Sequence, residues 1–148
     1  MEGIFSDEYF MRAALKEAEK ALAEEEVPVG AVVVCGNRII GRGYNQTARL
    51  QDATAHAEMI AMTAAARAVN SRYLDECTLY VSIEPCVMCA GASFWFQLGR
   101  LVIGAGDNKR GFTNVGTQCL HPRTEVVTGI LAGESAALMK DFFSRLRR

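Results

Sequence analysis

An α/β fold, a central β-sheet with helices on both faces, is what the sequence predicts. Three observations carry this expectation. Segments with apolar residues at helical spacing alternate along the chain with short valine-rich runs. The resulting order reads α-β-β-α-β-α-β-β-α. The 148 residues, half of them apolar, suffice for one compact domain with a single buried core. No linker, internal repeat or low-complexity tract divides the chain, so residues 1–148 are expected to form one domain.

Each element has its own signal. Ser6, followed by Asp7 and Glu8, reads as a helix cap with an acidic first turn. Met11, Ala14, Leu15, Ala18, Ala21 and Leu22 then form one apolar stripe at helical spacing. Residues 27–35 are dense in valine, broken by Pro28 and Gly30, and read as a buried strand. Gly36-Asn37 is a two-residue turn signal, and residues 38–44 return as the second arm of a hairpin. A polar loop covers 45–54. The alanine and methionine of residues 55–69 predict a helix closed by Asn70-Ser71. A strand over 77–83, a helix over 87–98 and, after Gly99, a short strand over 101–105 follow. Residues 107–121 are glycine-rich and irregular. A last strand over 125–128 leads through 129–133 to a final helix over 134–147, with Leu138, Met139, Phe142 and Leu146 facing inward.

Composition excludes several classes of function. The formal net charge of −1 argues against a strongly basic domain with indiscriminate affinity for nucleic acid, while leaving room for a local basic patch. Residues 1–22 carry Glu2, Asp7, Glu8 and Lys16 and lack the unbroken apolar stretch that export or membrane spanning requires. The five cysteines (Cys35, Cys77, Cys86, Cys89 and Cys119) are odd in number and scattered except for one pair. Without an export signal this favours reduced thiols and a metal site over a disulfide framework, in a cytoplasmic protein with no membrane partner.

Two segments carry chemistry: His56-Ala57-Glu58 and Pro85-Cys86-Val87-Met88-Cys89. Each stands at the start of a predicted helix. A catalytic zinc takes three protein ligands from imidazole nitrogen and thiolate sulfur and leaves a fourth position to water; His56, Cys86 and Cys89 supply that set. Cys86 and Cys89 are three apart, so one helical turn brings both sulfurs to one side. A helix N-terminus also favours thiolate through its unpaired N–H groups and dipole. Glu58, two residues from His56, is rotated from it by about 200° on an ideal helix. Both side chains reach one site only if that site lies off the helix end. Glu58 therefore suits a catalytic acid/base beside the metal better than a fourth ligand.

Other readings stand beside this one. A lone Cys-x-x-Cys is half of a structural zinc site, but the second close pair is missing, and Cys77 or His121 would have to close the tetrahedron. A thioredoxin-like redox pair would leave His56-Ala57-Glu58 unused. Buried cysteines can also be mere core.

A histidine and glutamate two apart, followed by Pro-Cys-x-x-Cys, is the known mark of the zinc nucleobase deaminases. The chain resembles the bacterial tRNA adenosine deaminases of that superfamily. The likeness runs through Ser6-Asp7-Glu8-Tyr9, Val27 to Val32, Ala55 to Glu58, Thr78 to Val81, Glu84 to Ala92, and Gly129-Ile130-Leu131 to Arg148. The resemblance implies a three-layer α/β/α sandwich around a five-stranded mixed sheet, cytidine deaminase-like, acting as a homodimer with one Zn2+ per subunit. The implied activity converts the wobble adenosine of a tRNA anticodon stem-loop to inosine. Asn45 matches a base-contacting asparagine, Asp107 and Lys109 match positions near the RNA loop, and Phe143 with Arg145 matches the aromatic and basic end of the last helix. Read alone, Asn45 suits either a base edge or a turn cap. Phe143, off the inward stripe, suits stacking on RNA or packing. Lys140, Arg145, Arg147 and Arg148 suit phosphates or a solvated helix end.

Two departures keep a second substrate class open. Ser93-Phe94-Trp95-Phe96-Gln97 replaces a smaller, more basic stretch and is more like the guanine-type deaminases. The loop over 112–119 is short, and His121-Pro122-Arg123-Thr124 stands where the tRNA enzymes carry Asn-His. A deaminase of a free nucleobase or nucleoside, using the same zinc site, is the alternative. Trp95 itself suits a core or dimer-interface position better than a specificity role.

Overall fold

A computed structural model describes residues 4–147. Ser6 caps helix α1 (Asp7–Ala23) by accepting the Tyr9 amide at 3.1 Å, and the expected stripe buries Met11, Ala14, Leu15, Ala18 and Ala21. Strand β1 (Gly30–Cys35) begins three residues later than the valine pattern suggests, because Pro28 has no N–H to give a ladder. Gly36 and Asn37 both take positive φ (58° and 62°), as a tight hairpin turn into β2 (Arg38–Tyr44) requires. Helix α2 (Ala57–Ala68), strand β3 (Thr78–Ile83), helix α3 (Val87–Trp95) and strand β4 (Arg100–Ala105) follow. Two single 3₁₀ turns, Phe112–Asn114 and Thr117–Cys119, punctuate the glycine-rich segment before β5 (Glu125–Val127) and helix α4 (Ala132–Leu146). Helix α3 stops short of the expected end at 98, where Gln97 turns to a left-handed φ of 53°.

The five strands lie in the order β2-β1-β3-β4-β5. β1 is antiparallel to both neighbours, whereas β3, β4 and β5 are parallel, so the sheet is mixed. Side chains alternate across it. Val32, Val34, Tyr80 and Val102 meet Phe10, Met11 and Ala14 of α1 on one face. Ala31, Val33, Leu79, Val81, Leu101 and Ile103 meet Ala57, Ala61, Met62 and Ala65 of α2 and Ala90 of α3 on the other. This is the three-layer α/β/α arrangement.

Gly43 sets how closely α2 approaches the sheet. A Cβ there would run into the Ala57 carbonyl oxygen, so the bare backbone lets the first turn of α2 rest directly on β2. The residues at that helix start are His56 and Glu58.

Helix α4 corrects one expectation. Phe142 is buried and Leu138 and Met139 are half-buried, but Leu146 is 65% exposed. The apolar stripe stops at Phe142, and no other described element covers the last turn.

Asp7 ties the start of α1 to the sheet. Its carboxylate accepts from Arg100 Nη1 and Nη2 (2.7 and 2.8 Å) and from the Tyr80 hydroxyl (2.9 Å). The Arg100 hydrogen bonds hold the Asp7 carboxyl below its ordinary value against the opposing effect of burial. A carboxyl whose folded pKa lies below its unfolded one stabilises the fold above the unfolded value, near 3.8, and that stability is lost as pH falls through the folded value. Asp7→Asn is expected to cost about 1–3 kcal/mol at neutral pH. Denaturant melts should find this gap closing below about pH 4; a gap independent of pH would contradict the assignment.

Among the described residues no helix is long and apolar enough to cross a membrane.

Candidate metal centre and active site

His56 and Cys86 are each the N-cap of a helix, α2 and α3, in extended backbone with ψ of 154° and 174°. Neither side chain caps its own helix, so both are free to turn off the helix end. Cys89 comes to the same side one turn into α3. The Cys86 and Cys89 sulfurs each lie 3.6 Å from His56 Nδ1. All three donor atoms lie within 4.8 Å of one another.

These distances test the fit of a metal. A tetrahedral zinc, with Zn–N of about 2.0 Å and Zn–S of about 2.3 Å, separates nitrogen from sulfur by about 3.5 Å, close to what is found here. The donor set fits. It holds three protein donors among the described residues, the number of a catalytic rather than a closed structural site. The two residues that a structural site would recruit lie elsewhere. His121 Nδ1 accepts the Arg123 amide, and Cys77 precedes β3 whereas Cys86 lies beyond its far end.

The thiols are electrically unequal. The Cys89 thiol donates to Cys86 and, with the N–H groups of Cys89 and Met88 and the nearby His56, brings Cys86 down to about 5 against its own burial. Cys89 is pushed up, first by Cys86 and then by burial. A metal bound here would take both sulfurs as thiolates and displace their protons.

Glu58, in the first turn of α2, is 4% exposed and lies against Cys89. Burial pushes its carboxyl up to about 7, opposed by a hydrogen bond from its own N–H. A cavity of about 250 Å³ opens in front of it, lined by His56 and Cys86 and walled by Val29, Asn45 and Met139. That is room for one base rather than a large ligand.

Of the five residues expected to bind substrate, two line this cavity. Asn45 is 8% exposed, and its carboxamide makes no hydrogen bond among the described residues. An amide that reaches an open cavity from an otherwise buried residue, with no protein partner, is suited to a ligand. Asp107 also lines the cavity, but its Oδ1 accepts the Lys109 and Arg110 amides, both at 3.0 Å, and so shapes its own turn. Lys109, Phe143 and Arg145 are exposed and lie outside the cavity; Arg145 is paired with Asp141 at 3.0 and 3.1 Å. Arg148 lies outside the described residues.

Several residues about the cavity escaped the sequence reading. Met139 and Arg110 line it, and so does Glu84, which anchors the loop after β4. Buried Glu26 holds the loop that carries Asn45 and Thr47 by accepting the Ala48 and Arg49 amides at 3.2 and 2.7 Å. Glu84 alone had a usable signal, its place directly before Pro85-Cys86.

Residues 5–105 match the family described as the cytidine and deoxycytidylate deaminase zinc-binding region. The chain belongs to this family of deaminases. Zinc is the cofactor that the His56, Cys86 and Cys89 set accommodates. The deaminase is 43% identical to the tRNA-specific adenosine deaminase of Rickettsia bellii (strain RML369-C) over 145 residues, covering 93% of this chain and 99% of the relative. A solved structure from a study of A-to-I editing by tRNA:A34 deaminases at the wobble position of transfer RNA is 39% identical. It superimposes with a TM-score of 0.82 over 88% of this deaminase and 98% of that chain. The guanine deaminase from Nitrosomonas europaea is 25% identical, with a TM-score of 0.79 over 93% and 84% of the two chains.

Proposed function

We propose that the protein deaminates the wobble adenosine of a tRNA anticodon to inosine. The observation that carries the base-deaminating part of this reading is the Asn45 amide, which faces a cavity sized for a single base beside the metal set and Glu58. Near 40% identity over almost the whole chain to enzymes named for tRNA adenosine favours it over the guanine reading.

Zinc held by His56, Cys86 and Cys89 would supply Lewis acidity that makes water a nucleophile near neutral pH. Asn45 both donates to and accepts from the edge of the flipped-out base, fixing its rotation in the cavity. Val29 and Met139 give the ring an apolar wall that excludes bulk water. Glu58 takes a proton from the attacking water and delivers it to ring N1, then moves the second proton of that water to the amino nitrogen. The C6–O bond forms, the C6–N bond breaks, and ammonia leaves. A carboxyl lifted toward neutrality by burial is suited to both transfers.

Further out, Phe143 lies one turn beyond Met139 on the same face of α4 and offers a ring to a neighbouring base. Asp107 shapes the loop that carries Lys109, and Lys109 and Arg145 meet phosphates. These rim contacts, not the cavity, would distinguish RNA from a free base.

The same reading includes a homodimer. Val87, Met88 and Trp95 of α3 are exposed, Trp95 at 76%, so Trp95 is not a core residue of the single chain. An apolar helix face of this kind is suited to a second copy. Sedimentation is expected to find a dimer that Trp95→Ser weakens; a wild-type monomer at micromolar concentration would contradict it.

The deciding assay is ammonia release by the zinc-loaded protein from an adenosine-bearing anticodon stem-loop, compared with guanine, cytosine, adenosine and cytidine. Turnover of the stem-loop alone supports RNA editing. Turnover of guanine with the stem-loop inert would replace it with the free-base reading.

A further inference from the structure

Glu84 leaves the end of β3 and directly precedes Pro85 and the zinc ligand Cys86. Its carboxylate faces the segment that follows β4. Oε1 accepts the Asp107 amide at 3.1 Å, and Oε2 accepts the Thr113 amide at 3.0 Å and the Thr113 hydroxyl at 2.7 Å. Beside these bonds the Phe112 amide donates to the Pro85 carbonyl at 3.0 Å, and Cys86 pairs with Gly111 in an isolated bridge. Gly111 must be glycine for this approach, since a Cβ would overlap the Glu84 carboxylate. The Asp107–Thr113 loop is thus stapled to the metal-ligand segment at both of its ends by one side chain.

We propose that Glu84 is a positioning residue that fixes the Asp107–Thr113 loop as one wall of the reaction cavity and couples substrate binding to the zinc-ligand segment. Its substrate readout rests on the RNA deaminase reading. An ionised carboxylate only accepts, and the loop presents it with three donors. Asp107 preshapes the turn through the Lys109 and Arg110 amides, so Glu84 docks a ready-made unit rather than folding one. That unit brings Arg110 to the cavity. Without the carboxylate, the Asp107 and Thr113 amides lose their acceptor and the wall drifts. Misplacement of about 1 Å costs on the order of a hundredfold in such sites.

The test compares zinc-loaded wild type with Glu84→Ala, Glu84→Gln, Thr113→Val and the Glu84→Ala/Thr113→Val double variant. Three quantities are read: zinc content, amide exchange of the 106–113 peptide, and KM and kcat on the anticodon stem-loop. Glu84→Ala is expected to keep its zinc and speed exchange of the Asp107 and Thr113 amides. Its KM should rise about tenfold to a hundredfold, with a smaller change in kcat. Glu84→Gln, which keeps one acceptor oxygen, should fall between Ala and wild type. The Glu84→Ala/Thr113→Val double variant should be no worse than Glu84→Ala alone, because both remove one network. Unchanged exchange overturns the proposal, and so does loss of zinc with the loop still protected. If the wild type ignores the stem-loop, the substrate reading fails while the exchange data still decide the loop's anchor.

Discussion

Glu58→Gln is expected to leave zinc bound and to lower kcat by about 10²–10⁴-fold. The exchange is nearly isosteric in a site where Glu58 is 4% exposed, so the cavity keeps its shape. Burial already disfavours the Glu58 charge, and a neutral amide there should not weaken the fold. What Gln cannot do is take a proton and hand it on. Zinc content, a denaturant melt and single-turnover ammonia release separate these effects. Turnover within about tenfold of wild type, with zinc retained, would remove Glu58 from the acid/base role.

Cys89→Ala is expected to empty the metal site and abolish turnover together. Only three protein donors converge among the described residues, and removing one leaves a nitrogen and a sulfur. The loss should exceed the roughly 10–100-fold that a supporting residue costs in metal affinity. Metal analysis after dialysis should find far less than one zinc per chain. Because Cys89 is buried between Cys86 and Glu58, the alanine also leaves a small void and a lower melting temperature. A Cys89→Ala protein that keeps stoichiometric zinc would mean that another group completes the set.

The two variants divide the site by chemistry. One tests the proton carrier with the metal in place, and the other removes the metal with the carrier in place. A reading in which the cysteine pair is structural predicts that Cys89→Ala unfolds the chain and that Glu58→Gln does nothing.

The metal set and Glu58 were legible in the sequence because their geometry is local. His56 and Glu58 straddle one helix start and Cys86 and Cys89 span another, so cap position and the helical period alone aim them. The alternation of helices and strands likewise gave the α/β class. Element ends were less legible where a single residue decided them: Pro28 delayed β1, and the left-handed Gln97 ended α3 early. Leu146 fitted the apolar stripe, yet no described element lies over it.

The rest of the site depends on contacts between residues far apart in the chain, which no local pattern encodes. Glu84 meets Thr113 across 29 positions, and Glu26 meets Arg49 across 23. That Asn45 faces the cavity beside Glu58 emerged only when β1, β2 and α2 closed around it. Lys109, Phe143 and Arg145 lie outside the cavity for the same reason: a helix fixes which side chains share a face, but not what that face meets. By itself the sequence determined the α/β class and pointed to the His56, Cys86 and Cys89 donor set and the acid/base candidate, since these follow from spacing along single elements. Only the tertiary structure decided which loops wall the cavity and which side chains hold them. Those depend on carboxylates finding donors in loops far along the chain, where burial makes each missing partner costly.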